Sequence, residues 1–151
     1  MTISYSVANA PIEEAVLVEF VALSRRLFGD YGEREQSWRL VHMPDATLWQ
    51  ARTSEQLVGF KAGYAHTRNR YYSWLGAVVP EYRRQGIASQ LMASQHEWAR
   101  KNGYESIETS AREENRIMRG LNIESGFNEV GKRSKGSDID IICEKVLIQR
   151  E

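Results

Sequence analysis

"PEYRRQGIAS", residues 80–89, sets a proline, charged residues and a bare glycine in front of a run with helical spacing, directly behind the apolar stretch "WLGAVV" (74–79). From Arg84 to Asn102 the apolar positions Ile87, Leu91, Met92, Trp98 and Ala99 recur on one helical face. Arg100 and Lys101 fall in the last turn, and Gly103 suits the stop. "SIETSA" (106–111) then reads as a returning strand. A strand, a glycine turn, a helix and a strand form a unit that pairs its two strands in parallel through a right-handed crossover. The strand at 71–79 and the strand at 106–111 are therefore expected to be parallel neighbours. The head of the crossover helix offers unpaired amide hydrogens and a partial positive charge, which together make an anion site. Gly86 removes the side chain that would hold a phosphate away, and the arginines add charge. This turn is read as a phosphate cradle.

Working outward, "ISYSVA" (3–8) alternates as a first strand, and "PIEEAVLVEFVALSRRLFG" (11–29) reads as a helix starting at Pro11, with acidic residues in its first turn. "REQSWRLVHM" (34–43) reads as a shorter helix ended by Pro44. "TLWQARTS" (47–54), "QLVGFKAGYAHT" (56–67) and "YYSWLGAVV" (71–79) form a meander of strands. Beyond the crossover come a helix over "ENRIMRGLNIES" (114–125), closing at Gly126, and a hairpin of "FNEVGKR" (127–133) with "DIDIICEKVLI" (138–148) across "SKGS" (134–137). No repeat, linker or low-complexity segment interrupts the chain, so residues 1–151 are read as a single domain.

Twenty basic residues balance twenty acidic ones, so no overall field draws the protein to nucleic acid or to an anionic membrane. Any charged site is local. The lone Cys143 cannot form an internal disulfide and reads as a buried thiol, which fits a reducing cytoplasm. Nothing at the N-terminus reads as a signal peptide, and no apolar run approaches the roughly 20 residues that span a bilayer. No metal site is expected.

Taken together, residues 75–127 resemble the conserved half of the GNAT superfamily of N-acetyltransferases. Members hold the pyrophosphate of acetyl-CoA on a turn of pattern Arg/Gln-x-x-Gly-x-Gly/Ala, here Arg83, Gly86 and Ala88. The resemblance continues with Asn115 at the head of the next helix and "ESGF" (124–127) at its end. It implies an α/β (α+β) fold: a mixed, mostly antiparallel sheet, a central parallel strand pair splayed to hold CoA, and helices on both faces. It also implies acetyl-CoA as co-substrate, gripped at the pyrophosphate by the backbone from Arg84 through Gln85, Gly86, Ile87 and Ala88 to Ser89. Ala77 and Val78 would bond the pantetheine arm as if it were an added strand. Asn115 matches the family's asparagine near that arm and equally suits a helix cap. Arg112, Arg116 and Arg119 would meet the adenosine 3′-phosphate or form a solvated helix face.

The implied chemistry moves an acetyl group from a thioester to a primary amine. A backbone amide near Val78 is the family-like candidate for stabilising the oxyanion. The usual acid and base positions, however, hold other residues. Many members place a tyrosine acid where this chain has Asn122. The places of two common glutamates hold Ser110 and Tyr72. A thiol of pKa about 8.5 is a tolerable leaving group near neutrality, so the missing acid need not be fatal. A lysine amine of pKa about 10.4 is less than about 0.1% neutral at pH 7, whereas an α-amino group near 8 is neutral roughly a tenth of the time. Without a base the less basic amine is the easier acceptor. Glu108, Tyr82 and His66 remain as candidates for a water-mediated relay.

The resemblance further implies that the acceptor approaches past the segment between the first two helices, here "FGDYGEREQSW" (28–38), where Asp30, Glu33 and Glu35 are interleaved with Phe28, Tyr31 and Trp38. Acidic groups beside aromatic faces suit a cationic amine, and a solvated loop explains the same composition. The reading is a cytoplasmic N-acetyltransferase acting on a small amine or a peptide N-terminus in a ternary complex. The alternative is a module that binds acetyl-CoA without turnover, as a sensor. The sequence leaves a homodimer open.

Overall fold

The computed structural model describes residues 2–29 and 33–149. Seven strands form one sheet, β1 (Ser4–Asn9), β2 (Thr47–Arg52), β3 (Leu57–Ala65), β4 (Arg70–Val78), β5 (Ser106–Arg112), β6 (Asn128–Lys135) and β7 (Asp138–Val146). Their order across the sheet is β1-β2-β3-β4-β5-β7-β6. Every neighbouring pair is antiparallel except β4 and β5, which run parallel. The helices are α1 (Glu14–Phe28), α2 (Glu33–His42), α3 (Ile87–Lys101) and α4 (Arg116–Glu124). Among the described residues no helix is long and apolar enough to cross a membrane.

Strand β3 is the spine of the core, and its alternation assigns the two faces. Phe60 meets Phe20 of α1 edge to face, ring centroids 4.9 Å apart. Side chains at positions 59 and 63 would point the other way, into Ile87 and Gln95 of α3. On that second face Trp49, Tyr71, Trp98 and Tyr104 pack ring against ring, and the Tyr71 hydroxyl donates to the Asp45 carbonyl at 3.3 Å. Cys143 is fully buried on β7, and burial pushes its thiol upward.

Three boundaries differ from the sequence reading. Helix α1 opens at Glu14 rather than Pro11, because Glu13 is extended (φ −59°, ψ 142°) and leaves Ile12 to pack on the core ahead of the first turn. A short 3₁₀ turn, Pro80–Tyr82, stands between β4 and α3, so the long helix begins at Ile87 rather than at Arg84. The hairpin turn contracts to Gly136 and Ser137, with Gly136 at φ +64° in the first turn position.

The feature that makes room for a ligand lies at the parallel pair. Its ladder holds only Arg70↔Ser106, Tyr71↔Ile107 and Tyr72↔Glu108. On the other side of β4 the register slips between Ala62 and Gly63, which leaves Trp74 as a bulge. A bulge bends its strand. Beyond it β4 stays paired with β3 but parts from β5.

Candidate active site

The phosphate turn is built almost wholly of backbone. Val79 ties β4 to β3 through its N–H on the Val58 carbonyl, 2.8 Å, and the 3₁₀ turn closes with Tyr82 N–H on the Val79 carbonyl at 2.9 Å. Arg83 folds back so that its Nε donates to the Val78 carbonyl at 2.9 Å, bracing the turn against the strand. Arg84 (φ +63°) and Gly86 (φ +81°) both occupy the left-handed region. For a residue with a Cβ that conformation costs about 1–2 kcal/mol, and turns of this kind converge successive N–H groups on one point. The first rung of α3 joins Gln90 N–H to the Gly86 carbonyl at 3.0 Å, so the amides before it are left without an intrahelical acceptor. Gln85, Ala88 and Ser89 are exposed, while Ile87 buries its side chain and anchors the helix head. Nothing lies within 4 Å of a Cβ built on Gly86, so the space before these amides is open.

The gap between β4 and β5 leads inward from this turn. Its floor is the bond from Thr109 Oγ1 to the Ser73 carbonyl, 2.9 Å. Because Val79 N–H faces β3, alternation turns the N–H groups of Val78 and Gly76 toward the gap. Ala77 faces the other way, paired with Phe60 on β3, so its own backbone groups point away from the gap. The Val78 carbonyl is taken by Arg83, which leaves its N–H as the group presented there. A strand edge opened inside a sheet carries backbone groups that want partners, and an extended amide-bearing arm supplies them. The helix head and this edge fit a pyrophosphate followed by a pantetheine arm.

Asn115 caps α4, its Oδ1 accepting from Met118 N–H at 3.1 Å. Of the three arginines nearby, Arg119 holds Glu129 through two bonds of 2.8 and 3.0 Å, and Arg112 pairs with Asp138 at 3.3 Å, while Arg116 is exposed. Asn122 is 1% exposed, and its Nδ2 has no partner among the described residues.

On the α1 and α2 side of the gap lies a cleft of about 670 Å³. Glu108 of β5 stands in its wall, 9% exposed, with one carboxylate oxygen 3.2 Å from His66 Nδ1 and the other 3.7 Å from Arg70 Nη1. Ser110 and Tyr72 share that wall. Arg39 of α2 crosses the cleft over the rings of Trp74 (5.1 Å) and Tyr64 (5.8 Å), donates to the Tyr64 hydroxyl at 3.2 Å and is paired with Glu35. Burial pushes the Tyr64 phenol upward. Arg133, Lys135 and Asp140 of the β6–β7 hairpin close the far side.

The structure thus gathers Glu108, His66, Tyr72 and Ser110 into one cleft. Tyr82 sits half-buried on the 3₁₀ turn, outside that lining. Asp30 and Tyr31 lie outside the described residues, and Glu33 opens α2. Trp38 turns to the outer face of α2, 55% exposed and against His42. Arg39, Trp74 and the hairpin cations escaped the sequence reading, because nothing local ties them to the turn at 80–89.

One further group escaped it. Lys61 pairs with Gly76 across β3 and β4, and it is 8% exposed. Its Cδ and Nζ lie 2.9 and 3.5 Å from where a Cβ on Gly76 would stand, so the side chain crosses β4 at the residue that has no side chain. Burial lowers its ammonium to about 8. Nearby, His96 of α3 is lowered to about 3, first by burial and then by Lys145 and Lys61. Lys145 lies 3.0 Å from His96 Nδ1 and donates to the Ser125 carbonyl at 2.8 Å.

The sequence model of the acetyltransferase (GNAT) family matches residues 14–127. Three solved structures share the fold. The ribosomal-protein-S18-alanine N-acetyltransferase of Escherichia coli is 17% identical, with a TM-score of 0.83 over 98% of this chain and 97% of its own. NAA60 of Arabidopsis thaliana, in complex with acetyl-CoA, is 18% identical, with a TM-score of 0.79 over 96% and 98%. PaiA N-acetyltransferase of Thermoplasma acidophilum, in complex with coenzyme A, is 17% identical, with a TM-score of 0.75 over 97% and 99%. No curated protein matches the chain by sequence.

Proposed function

The chain belongs to the acetyltransferase (GNAT) family, and we propose that it moves the acetyl group of acetyl-CoA to a primary amine, on a small molecule or a peptide N-terminus, within a ternary complex. The observation that carries this reading is the open inner edge of β4, which runs from the unpaired amides at the head of α3 to a cleft walled by Glu108. The amides from Arg84 to Ser89 hold the pyrophosphate, and the N–H groups of Val78 and Gly76 hold the arm, one of them facing the thioester oxygen as it gains charge. Bound there, acetyl-CoA supplies an activated acetyl group. The amine enters from the cleft, where aromatic faces at Tyr64, Tyr72 and Trp74 flank it. Glu108, held between His66 and Arg70, takes its proton directly or through water. Binding and orientation account for a large part of the rate, since a well-placed pair of reactants reacts as one molecule.

A sensor that binds acetyl-CoA without turnover is the reading favoured by Asn122, which has no ionisable proton. An assay of acetyl-CoA against a panel of small amines and peptides with free N-termini separates the two. Turnover above the uncatalysed background supports the enzyme. Tight acetyl-CoA binding with no turnover on any acceptor returns the chain to the sensor reading.

A further inference from the structure

Lys61 is the only charged residue of β3, in a strand buried over its first eight positions. An unpaired buried charge destabilises a fold, and a methionine of similar length would fill the same space without that cost. Among the described residues no carboxylate or other acceptor bonds it, and burial alone accounts for its lowered basicity. The titratable groups nearest it are cationic or neutral: His96 on α3 and, beyond it, Lys145 on β7, whose ammonium is engaged by His96 and the Ser125 carbonyl. Among the described residues, Lys61 therefore sets an ammonium beside the open edge of β4 with no anion bonded to it.

Its place along the gap is specific. The gap has a head at the amides of 84–89 and a floor at Ser73 and Thr109. Gly76 lies between them, about 7 Å from Val78 and about 10 Å from Ser73 at the rise of an extended strand. An arm anchored by phosphates at the head brings its reacting end past Gly76 before it reaches the floor. Gly76 offers a backbone N–H toward the gap and, having no Cβ, lets Lys61 through.

We propose that Lys61 is the proton donor to the sulfur that leaves the thioester, and the counter-charge to the thiolate until the proton arrives. The inference rests on the acetyl-CoA reading above. As the carbon–sulfur bond breaks, its electron pair goes to sulfur. The Lys61 proton follows, giving a thiol and a neutral lysine amine. The proton lost by the acceptor nitrogen passes to Glu108 or water, and Lys61 is reprotonated from solvent, so protons balance over the cycle. The energetics agree: an ammonium near 8 and a thiol of pKa about 8.5 exchange a proton at little cost in either direction, so the thiolate–ammonium pair and its collapse to thiol and amine are both within reach, whereas an ordinary lysine near 10.4 would hold its proton.

The test compares CoA with desulfo-CoA, which lacks the thiol, on the wild type and on Lys61→Met. In the wild type the ultraviolet absorbance of bound CoA thiolate should appear at a pH lower by about one or more than for free CoA, as expected beside an opposite charge. Lys61→Met should abolish that shift while binding desulfo-CoA as tightly as the wild type, and should lower kcat about 100-fold with little change in KM for acetyl-CoA. In the unmutated protein, NMR of the lysine ammonium groups should show Lys61 titrating at higher pH with CoA bound than with desulfo-CoA. If CoA and desulfo-CoA both bind but the thiol titrates alike in both proteins, or Lys61 titrates alike with both ligands, the inference falls and the acetyl-CoA reading stands. Loss of desulfo-CoA affinity in Lys61→Met also overturns it, since Lys61 would then hold the body of the ligand. If neither ligand binds the wild type, both readings fall together.

Discussion

The head of the gap and the cleft at its other end are made of different materials. At the head, residues 79–90 supply backbone hydrogen bonds, two left-handed residues and one side-chain brace, all from one contiguous stretch. At the cleft, side chains arrive from α2, β3, β4, β5 and the β6–β7 hairpin, and Glu35 is already paired with Arg39 and Glu108 with His66 and Arg70. Backbone recognition suits a ligand part that never varies, because most substitutions leave the amides in place. Side-chain recognition suits the part that distinguishes one acceptor from another. The same contrast says where single substitutions do most harm.

The largest effect is expected at the head. Gly86→Val forces a branched residue into φ +81° and sets its side chain in the open space before the amides. Losing two hydrogen bonds to a charged group, each worth about 1.5–3 kcal/mol, weakens acetyl-CoA binding by about 100-fold or more. The thermal stabilisation of the wild type by acetyl-CoA should vanish in the variant. Equal stabilisation of both would show that the head does not bind the ligand, and the contrast would collapse.

At the cleft, Glu108→Gln keeps the shape and removes the base. A drop in kcat of about 100-fold, with KM for acetyl-CoA unchanged, is the expected outcome. A wild-type kcat would return Glu108 to a structural partner of His66 and Arg70. Asn122→Ala sharpens the contrast from between the two ends: its kcat should fall by less than about tenfold, and by less than that of Lys61→Met, because an amide donates a hydrogen bond but not a proton. A larger fall than for Lys61→Met would make Asn122 the group that serves the sulfur. The smallest effect is expected from Glu35→Gln. Glu35 is tied to Arg39 on the same helix, and exposed pairs of this kind are worth less than about 1 kcal/mol. KM for a cationic acceptor should rise less than about fivefold, and high salt should erase the change.

The sequence revealed most where a few adjacent residues decide the outcome. Gly86 and Ala88 between an apolar strand and an amphipathic helix place the crossover, and the crossover places the parallel pair. The cleft was hidden for the opposite reason. Glu108 and His66 were visible as candidates, but their pairing depends on a register forty residues apart, and Arg39 reaches Trp74 only after α2 has docked on the sheet. Glu35 reads from composition as an acidic group facing an acceptor, and its tie to Arg39 one turn along the helix appears only in the fold. Lys61 stood in plain view as a charge inside an apolar strand. Its direction followed only from the pairing with Gly76.

That pairing can be read in other sequences. A Cβ at position 76 would sit 2.9 Å from the Lys61 Cδ and 3.3 Å from the Phe60 carbonyl oxygen, so a larger residue there obliges the end of the lysine to shift. Positions 61 and 76 are thus coupled. A relative with a lysine at the first is expected to carry glycine at the second, and one that gains a side chain at the second is expected to have given up the lysine. The two letters stand fifteen positions apart in the chain, and a search for them together would sort relatives by how the sulfur leaves before any of them is assayed.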